Sequence, residues 1–325
     1  MQAASEGGNL VAFKYGDVRR GTKNFSEKIG GGSFGSVYKG TLPGGGVAIA
    51  VKKLEGRLCV GEKQFRNEVR TIGVIQHVNL VRLRGFCATT NERLLVYDYM
   101  PNGSLASVLS ESGQSSRVLD WRARFGIMAG VARGLAYLHE RCQERIVHCD
   151  VKPENILLDA GLRPKVADFG MAKLIARDSS RALTTVRGTV GYLAPEWILG
   201  LPITAKADVY SFGMVLLEVV SGRRNYGFRQ ESVGSEDWYF PKWAYEKVYV
   251  ERRIEDILDP RIAASCAYDD AASVATVERM VKTAMWCLQD RAEMRPSMGK
   301  VAKMLEGSVE ITEPVKPTIF CVQDD

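Results

Sequence analysis

The 325-residue chain is 46% hydrophobic, 25% charged and 9% aromatic, with a formal net charge of +6. That is enough apolar material for a sizeable core in two lobes or two domains. No run of five or more Lys/Arg appears, so the modest positive charge reads as a mildly basic surface, and no nucleic-acid partner is expected. The seven cysteines (Cys59, Cys87, Cys142, Cys149, Cys266, Cys287, Cys321) are scattered and form no C-x-x-C pair. This excludes a zinc ribbon or a thioredoxin-type site and suits a reducing compartment. The N-terminal stretch lacks the apolar run of a signal peptide, and the longest apolar stretch, Val209 to Val220, is too short to span a bilayer. A cytoplasmic location is therefore expected.

In chain order, residues up to about Asn24 are polar and glycine-bearing and predict a flexible lead-in. NFSEKIGGGSFGSVYKGTL and GGGVAIAVKKL predict strands around a glycine cluster, because β-branched and aromatic residues alternate between turn formers. EKQFRNEVRTIGVI predicts a helix, with Phe65, Val69 and Ile72 at three- and four-residue spacing. VRLRGFC and RLLVYDY predict further strands, and MPNGSL a turn-rich exit. From Leu105 onward the signals are helical, and beyond Gly307 the chain, with Pro314 and Pro317, predicts a loose tail. The expected class is α+β: a β-rich N-lobe with one main helix and a helical C-lobe, joined by a hinge near Tyr97 to Gly103.

The run Gly30-Gly31-Gly32-Ser33-Phe34-Gly35 matches G-x-G-x-x-G. A dinucleotide site needs a helix after it, whereas SVYKGTL is strand-like. What remains is a hairpin whose bare backbone covers phosphates, or a merely flexible loop. Strand alternation puts Lys52 and Lys53 on opposite faces, and Glu68 on the following helix could pair with whichever points inward. The densest run is Ile146-Val147-His148-Cys149-Asp150-Val151-Lys152-Pro153-Glu154-Asn155, followed by Asp168-Phe169-Gly170 and Ala194-Pro195-Glu196. Phosphoryl transfer needs a carboxylate near the attacking hydroxyl, cations on the phosphates and oxygen ligands for Mg²⁺. Asp150 suits the first, Lys152 the second, and Asn155 with Asp168 the third. His139 reads as a packed core histidine and His148 as a support for its loop.

Over about residues 25–307 the chain resembles eukaryotic protein kinase domains. More narrowly it is similar to the cytoplasmic kinase domains of plant receptor-like kinases of the G-type lectin (S-domain) group. QHVNLVRLRGFC, LLVYDYMPNGSL, IVHCDVKPENILLD, RGTVGYLAPEW and KADVYSFGMVLLE carry the resemblance along with the glycine-rich string. It implies ATP and Mg²⁺ as cofactors, with Ile29, Gly30, Gly31, Gly32, Ser33, Phe34, Gly35 and Val37 over the nucleotide. It implies Lys52 and Glu68 as an ion pair, Asp150 as catalytic base beside Lys152, and Asn155 with Asp168 on the metal. Tyr97 takes the gatekeeper position and Asp98 to Met100 the adenine-binding hinge, while Glu196 and Arg295 form a structural brace. Lys152 and Thr189 follow the serine/threonine pattern, so the implied substrates are proteins bearing Ser/Thr hydroxyls; the alternative is a pseudokinase-type scaffold. Residues 1–24 resemble a juxtamembrane lead-in, with an N-lobe over about 25–100, a C-lobe over about 101–307 and a tail over 308–325. Membrane association is expected only through that lead-in or a parent receptor, and a receptor or co-receptor kinase is an expected partner. Most kinases have arginine where this chain has Cys149, which casts doubt on loop phosphorylation as the main on-switch. Ser179, Ser180, Thr184 and Thr185 are nonetheless expected autophosphorylation sites.

Overall fold

The computed structural model describes residues 10–32, 35–42, 44, 46–55, 58–73, 75–110, 118–175, 188–225, 239–263 and 271–317. Its strands are β1 (Val11–Ala12), β2 (Lys28–Gly32), β3 (Gly35–Thr41), β4 (Ala48–Leu54), β5 (Leu83–Ala88), β6 (Arg93–Asp98), β7 (Arg145–Val147), β8 (Ile156–Leu158), β9 (Pro164–Val166) and β10 (Lys173–Ile175). Its helices are α1 (Tyr15–Gly21), α2 (Leu58–Ile72), α3 (Leu105–Leu109), α4 (Trp121–Ala136), α5 (Pro195–Ile198), α6 (Lys206–Ser221), α7 (Phe240–Tyr245), α8 (Pro260–Ala263), α9 (Ala271–Cys287) and α10 (Met298–Glu306). The N-terminal part is a six-stranded sheet in the order β1-β5-β6-β4-β3-β2 with α2 against it. Among the other described residues helices predominate, accompanied by the two-stranded ribbons β7–β10 and β8–β9. The α+β, two-lobed expectation holds.

Alternation gives the sheet two distinct faces. On β4, Ile49 and Val51 are buried with Cys87, Leu94 and Val96 on the outer face, whereas Ala50 and Lys52 line the cleft on the other. That apolar outer face explains a correction to the expected flexible lead-in. From residue 10 the chain docks there: β1 runs parallel to β5, and α1 buries Val18 in the outer cluster, with Phe13, Tyr15 and Phe25 around it. Uncovered, these side chains would leave apolar surface in water. The tail is likewise less loose than predicted. Residues 308–317 have no regular structure, yet Trp286 Nε1 donates to the Thr312 carbonyl (3.0 Å) and Gln289 Nε2 to that of Val315 (2.9 Å).

α6 is the axis of the C-lobe. Every residue from Ala207 to Ser221 is buried, as its nearly continuous apolar sequence requires, and α9 and α4 pack on it. Asp120 caps α4 by accepting the Ala123 N–H (2.7 Å), and Ser297 caps α10 at the Lys300 N–H. The buried Arg295 guanidinium forks onto both oxygens of Glu196 at 2.7 and 2.8 Å, the predicted brace. No helix among the described residues is long and apolar enough to cross a membrane.

Candidate active site

The glycines of the sequence motif form a roof. Gly30 and Gly31 on β2 face Val37 and Ser36 on β3, and Gly32 faces Gly35. Gly35 has φ +136°, and a Cβ there would stand 2.1 Å from the Lys53 carbonyl oxygen, so only glycine lets these strands pack. Ser33 and Phe34 lie outside the described residues. The register β3 to β4 sets Val37 opposite Lys52, beneath the roof. Lys53, on the opposite face, pairs with Glu92 at 2.9 Å.

Lys52 spans the two lobes. Its Nζ donates to Glu68 Oε1 at 2.7 Å and to Asp168 Oδ1 at 2.8 Å, joining groups 16 and 116 residues away. Burial works against the ammonium, but the two carboxylates outweigh it and hold Lys52 above the ordinary lysine range. Burial likewise opposes the charge on Asp168, and Lys52 reverses the balance and holds that carboxyl below its usual value. Glu68 reaches this position because the helical spacing of Phe65, Glu68 and Ile72 turns one stripe of α2 inward, where all three are buried. The Tyr97 hydroxyl donates to the other oxygen of Glu68. Asn67, on the same helix, donates through Nδ2 to the carbonyls of Phe169, Gly170 and Ala172 at 3.0, 3.1 and 2.8 Å. It ties α2 to the segment that carries Asp168.

Asp150 lies on the opposite side of the cleft and is 4% exposed. Its Oδ1 accepts the Thr189 hydroxyl (2.6 Å), while its Oδ2 takes Asn155 Nδ2 (2.9 Å) and Lys152 Nζ (3.0 Å). Lys152 also donates to the Thr189 hydroxyl at 2.7 Å, closing a small ring of polar contacts. The loop is held from below by Asp208 of α6, whose buried carboxylate accepts the backbone N–H groups of His148 (2.7 Å) and Cys149 (2.8 Å) and lies 2.8 Å from His139 Nε2. Those contacts keep Asp208 below the usual carboxylate range although burial pushes the other way. The Asp150 N–H donates to His148 Nδ1 (3.2 Å), so Nε2 carries the proton that the Ala167 carbonyl receives at 3.0 Å. His148 and His139 therefore serve the scaffold, as the sequence suggested. Cys149 and Asp168 both have left-handed backbones, at φ 66° and 63°. Such strain persists only where surrounding contacts impose it.

Between roof and loop lies a cleft of about 540 Å³ that brings together the described residues predicted for the site other than Asp150, which stands just behind Lys152 and Asn155. Ile29, Gly30, Gly31, Gly32, Gly35 and Val37 roof it, Tyr97, Asp98 and Met100 form its back edge, and Lys52, Glu68, Lys152, Asn155 and Asp168 reach its polar end. Tyr99 of the expected hinge lines it as well, as do Ala50, Val81, Leu157 and Ala167, which were not anticipated. Ala50 was within reach, because it stands two residues before Lys52 on the same strand face. Asp208 and Asn67 were missed too; the one available signal was an acid inside the apolar run KADVYSFGMVLL.

The chain matches the protein kinase domain family over residues 24–305. It is 52% identical to the G-type lectin S-receptor-like serine/threonine-protein kinase SD2-2 of Arabidopsis thaliana, over 96% of this chain and 38% of that protein. It is 54% identical to a second such kinase of that plant, At2g19130, over 98% of this chain and 37% of the relative. The probable receptor-like protein kinase At5g20050, also of Arabidopsis thaliana, is 45% identical over 95% of this chain and 69% of its own length. The chain thus spans less than two fifths of the first two relatives.

Proposed function

The chain belongs to the protein kinase domain family, and on that premise we propose that it transfers the γ-phosphoryl group of ATP to serine and threonine hydroxyls of proteins. The observation that carries the proposal is Lys52 holding Glu68 and Asp168 at once, at 2.7 and 2.8 Å. That contact brings together residues expected to position phosphates, which supports an active kinase, and a pseudokinase-type scaffold is not favoured.

Kinases of this family use ATP with Mg²⁺, and the residues present fit both. The roof is bare backbone, Ala50, Val81 and Leu157 give the cleft an apolar lining, and the polar end holds a cation beside an aspartate. Asn155 spends its Nδ2 on Asp150, so its Oδ1 remains as a neutral oxygen donor near the Asp168 carboxylate. One carbonyl and one carboxylate suit an ion that takes its other ligands from phosphate and water. When bound, Mg²⁺–ATP supplies the phosphoryl group with its charge partly neutralised. Lys52 would grip the phosphates, and Asn155 and Asp168 would hold the metal. Asp150 would orient the substrate hydroxyl and receive its proton as the oxygen attacks, and Lys152 would offset the charge developing beside it. Asp98 to Met100 would hold the adenine. Lys152 and Thr189, which bond each other and Asp150, support the serine/threonine assignment.

Because the relatives are named receptor-like, we assign the chain to the cytoplasmic side of a longer membrane receptor, with another receptor kinase as its partner. Phosphoamino-acid analysis of a general protein substrate after incubation with the chain tests the activity. Phosphoserine and phosphothreonine are expected; phosphotyrosine alone would overturn it.

A further inference from the structure

A second cavity, of about 310 Å³, shares Val81, Asp98 and Met100 with the cleft but is otherwise built from the connection between α2 and β5 and from Lys165 of β9. Ile75, Leu80 and Met100 give it apolar walls, and His77, Arg82 and Lys165 bring basic side chains to it. The acid among its described lining residues, Asp98, is already engaged by the Arg84 guanidinium. The Lys165 ammonium is held by the Val78 carbonyl at 2.7 Å, with N–H groups to spare. The exposed Arg82 side chain makes no hydrogen bond or ion pair with any described residue. His77 Nδ1 accepts the Asn79 N–H at 3.1 Å, and its ring stacks on Tyr137 with centroids 4.8 Å apart. Burial, with Arg133 and Lys165 nearby, holds His77 below the ordinary histidine range. The ring is therefore neutral at pH 7, and its Nε2 carries a proton to donate. Arg133 itself is paired with Glu306 at 2.8 Å.

Donors gathered around one cavity, with its acid already engaged, favour an anion. A phosphate monoester offers a terminal oxygen to each of these donors and enough negative charge to balance them, whereas a carboxylate has too few oxygens. The apolar walls call for a ligand that carries carbon beside the charge, which a free phosphate does not. We propose that this cavity is a docking site for a phosphorylated serine or threonine side chain within a peptide segment. The phosphate sits on Arg82, Lys165 and His77, and the residues flanking it lie against Ile75, Leu80 and Met100. Neither Lys52 nor Asp150 lines this cavity, so a peptide bound there is held without being turned over. The site selects a partner that has already been phosphorylated, which is a different task from the phosphoryl transfer assigned to the cleft.

The test follows the histidine ring signals of the isotope-labelled full chain by NMR. The chain has 3 histidines, and the other two, His139 and His148, are buried in the scaffold, so His77 reports on its own cavity. The probes are a peptide library with a central phosphoserine and no other hydroxyl side chain, the same library with serine there, and inorganic phosphate. The phosphoserine library should move the His77 signals, while the serine library and inorganic phosphate at the same concentration leave them in place. Arg82→Ala and Lys165→Ala should each weaken the binding about tenfold, as expected for one charged hydrogen bond. Lys303→Ala, which removes an exposed lysine of α10, should leave it unchanged. Unmoved His77 signals, an equal response to the serine library, or inorganic phosphate binding as tightly as the peptides would each overturn the proposal. So would displacement of the peptides by Mg²⁺ with a non-hydrolysable ATP analogue, which would put them in the cleft instead. The measurement needs no turnover, so a chain that failed to transfer phosphate would sink the kinase reading and leave this result standing.

Discussion

Glu218 shows how much chemistry one buried side chain can hold. Burial pushes its carboxyl up to about 7 from 4.5, with Arg224 as the chief opposing charge, the Asn225 N–H and the Tyr192 hydroxyl as further help, and Glu154 adding to the rise. A carboxyl raised on folding favours the native state at low pH. The contribution is complete below pH 4.5 and is lost as pH climbs through about 7. Denaturant unfolding of wild type and Glu218→Gln across that window should therefore show the wild type losing about 3 kcal/mol relative to the variant. Curves that stay parallel would contradict it. Reactive residues were the most legible part of the sequence. Lys52, Asp150, Lys152, Asn155 and Asp168 are polar groups in short, ordered strings, and the cleft collects them at or next to its polar end. Asp208 and Asn67 were not legible, because their partners are 60 and 59 residues away for Asp208 and more than 100 for Asn67. Only the folded chain makes those neighbours.

Secondary elements were read well where period and punctuation agreed, as in β3, β4 and α2. The N-terminal segment was misread as flexible because its composition is polar. Its attachment depends on a few side chains, Phe13 and Val18 among them, and on backbone pairing of β1 with β5, neither of which composition reveals. Gly85 makes that pairing possible, since a Cβ there would stand 2.0 Å from the Val11 carbonyl oxygen and 2.6 Å from the Phe13 ring. Gly85→Val should detach β1, lower stability by about 1–3 kcal/mol, and speed amide exchange across residues 10–24. Unaltered protection there would show that the segment is held some other way. Ser179, Ser180, Thr184 and Thr185 lie outside the described residues. Next to Asp150, Cys149 turns its N–H to Asp208 and brings no positive charge to the place where a loop phosphate would be read. Thr184→Ala/Thr185→Ala should accordingly slow peptide phosphorylation by less than about tenfold, against the ten- to hundredfold that a lost charged hydrogen bond is worth. A hundredfold drop, matched by phosphatase-treated wild type, would mean that another cation reads the phosphate.

At the scale of the whole molecule, the two lobes meet at Lys52. The N-terminal sheet supplies the cation, α2 supplies Glu68, and the helical lobe supplies Asp168 and, through Asp208 on α6, the posture of Asp150. This division of labour makes the account vulnerable to a direct assay. Asp150→Asn and Lys52→Met keep side chains of similar size while removing the charges assigned to proton acceptance and phosphate binding. The decisive measurement is the rate of label transfer from ATP, with Mg²⁺ and both substrates saturating, for wild type and these two variants, alongside their thermal melting. The account predicts transfer by the wild type, a loss of about a hundredfold or more in each variant, and melting temperatures that barely move. Near-normal turnover in Asp150→Asn, with its melting unchanged, would contradict it.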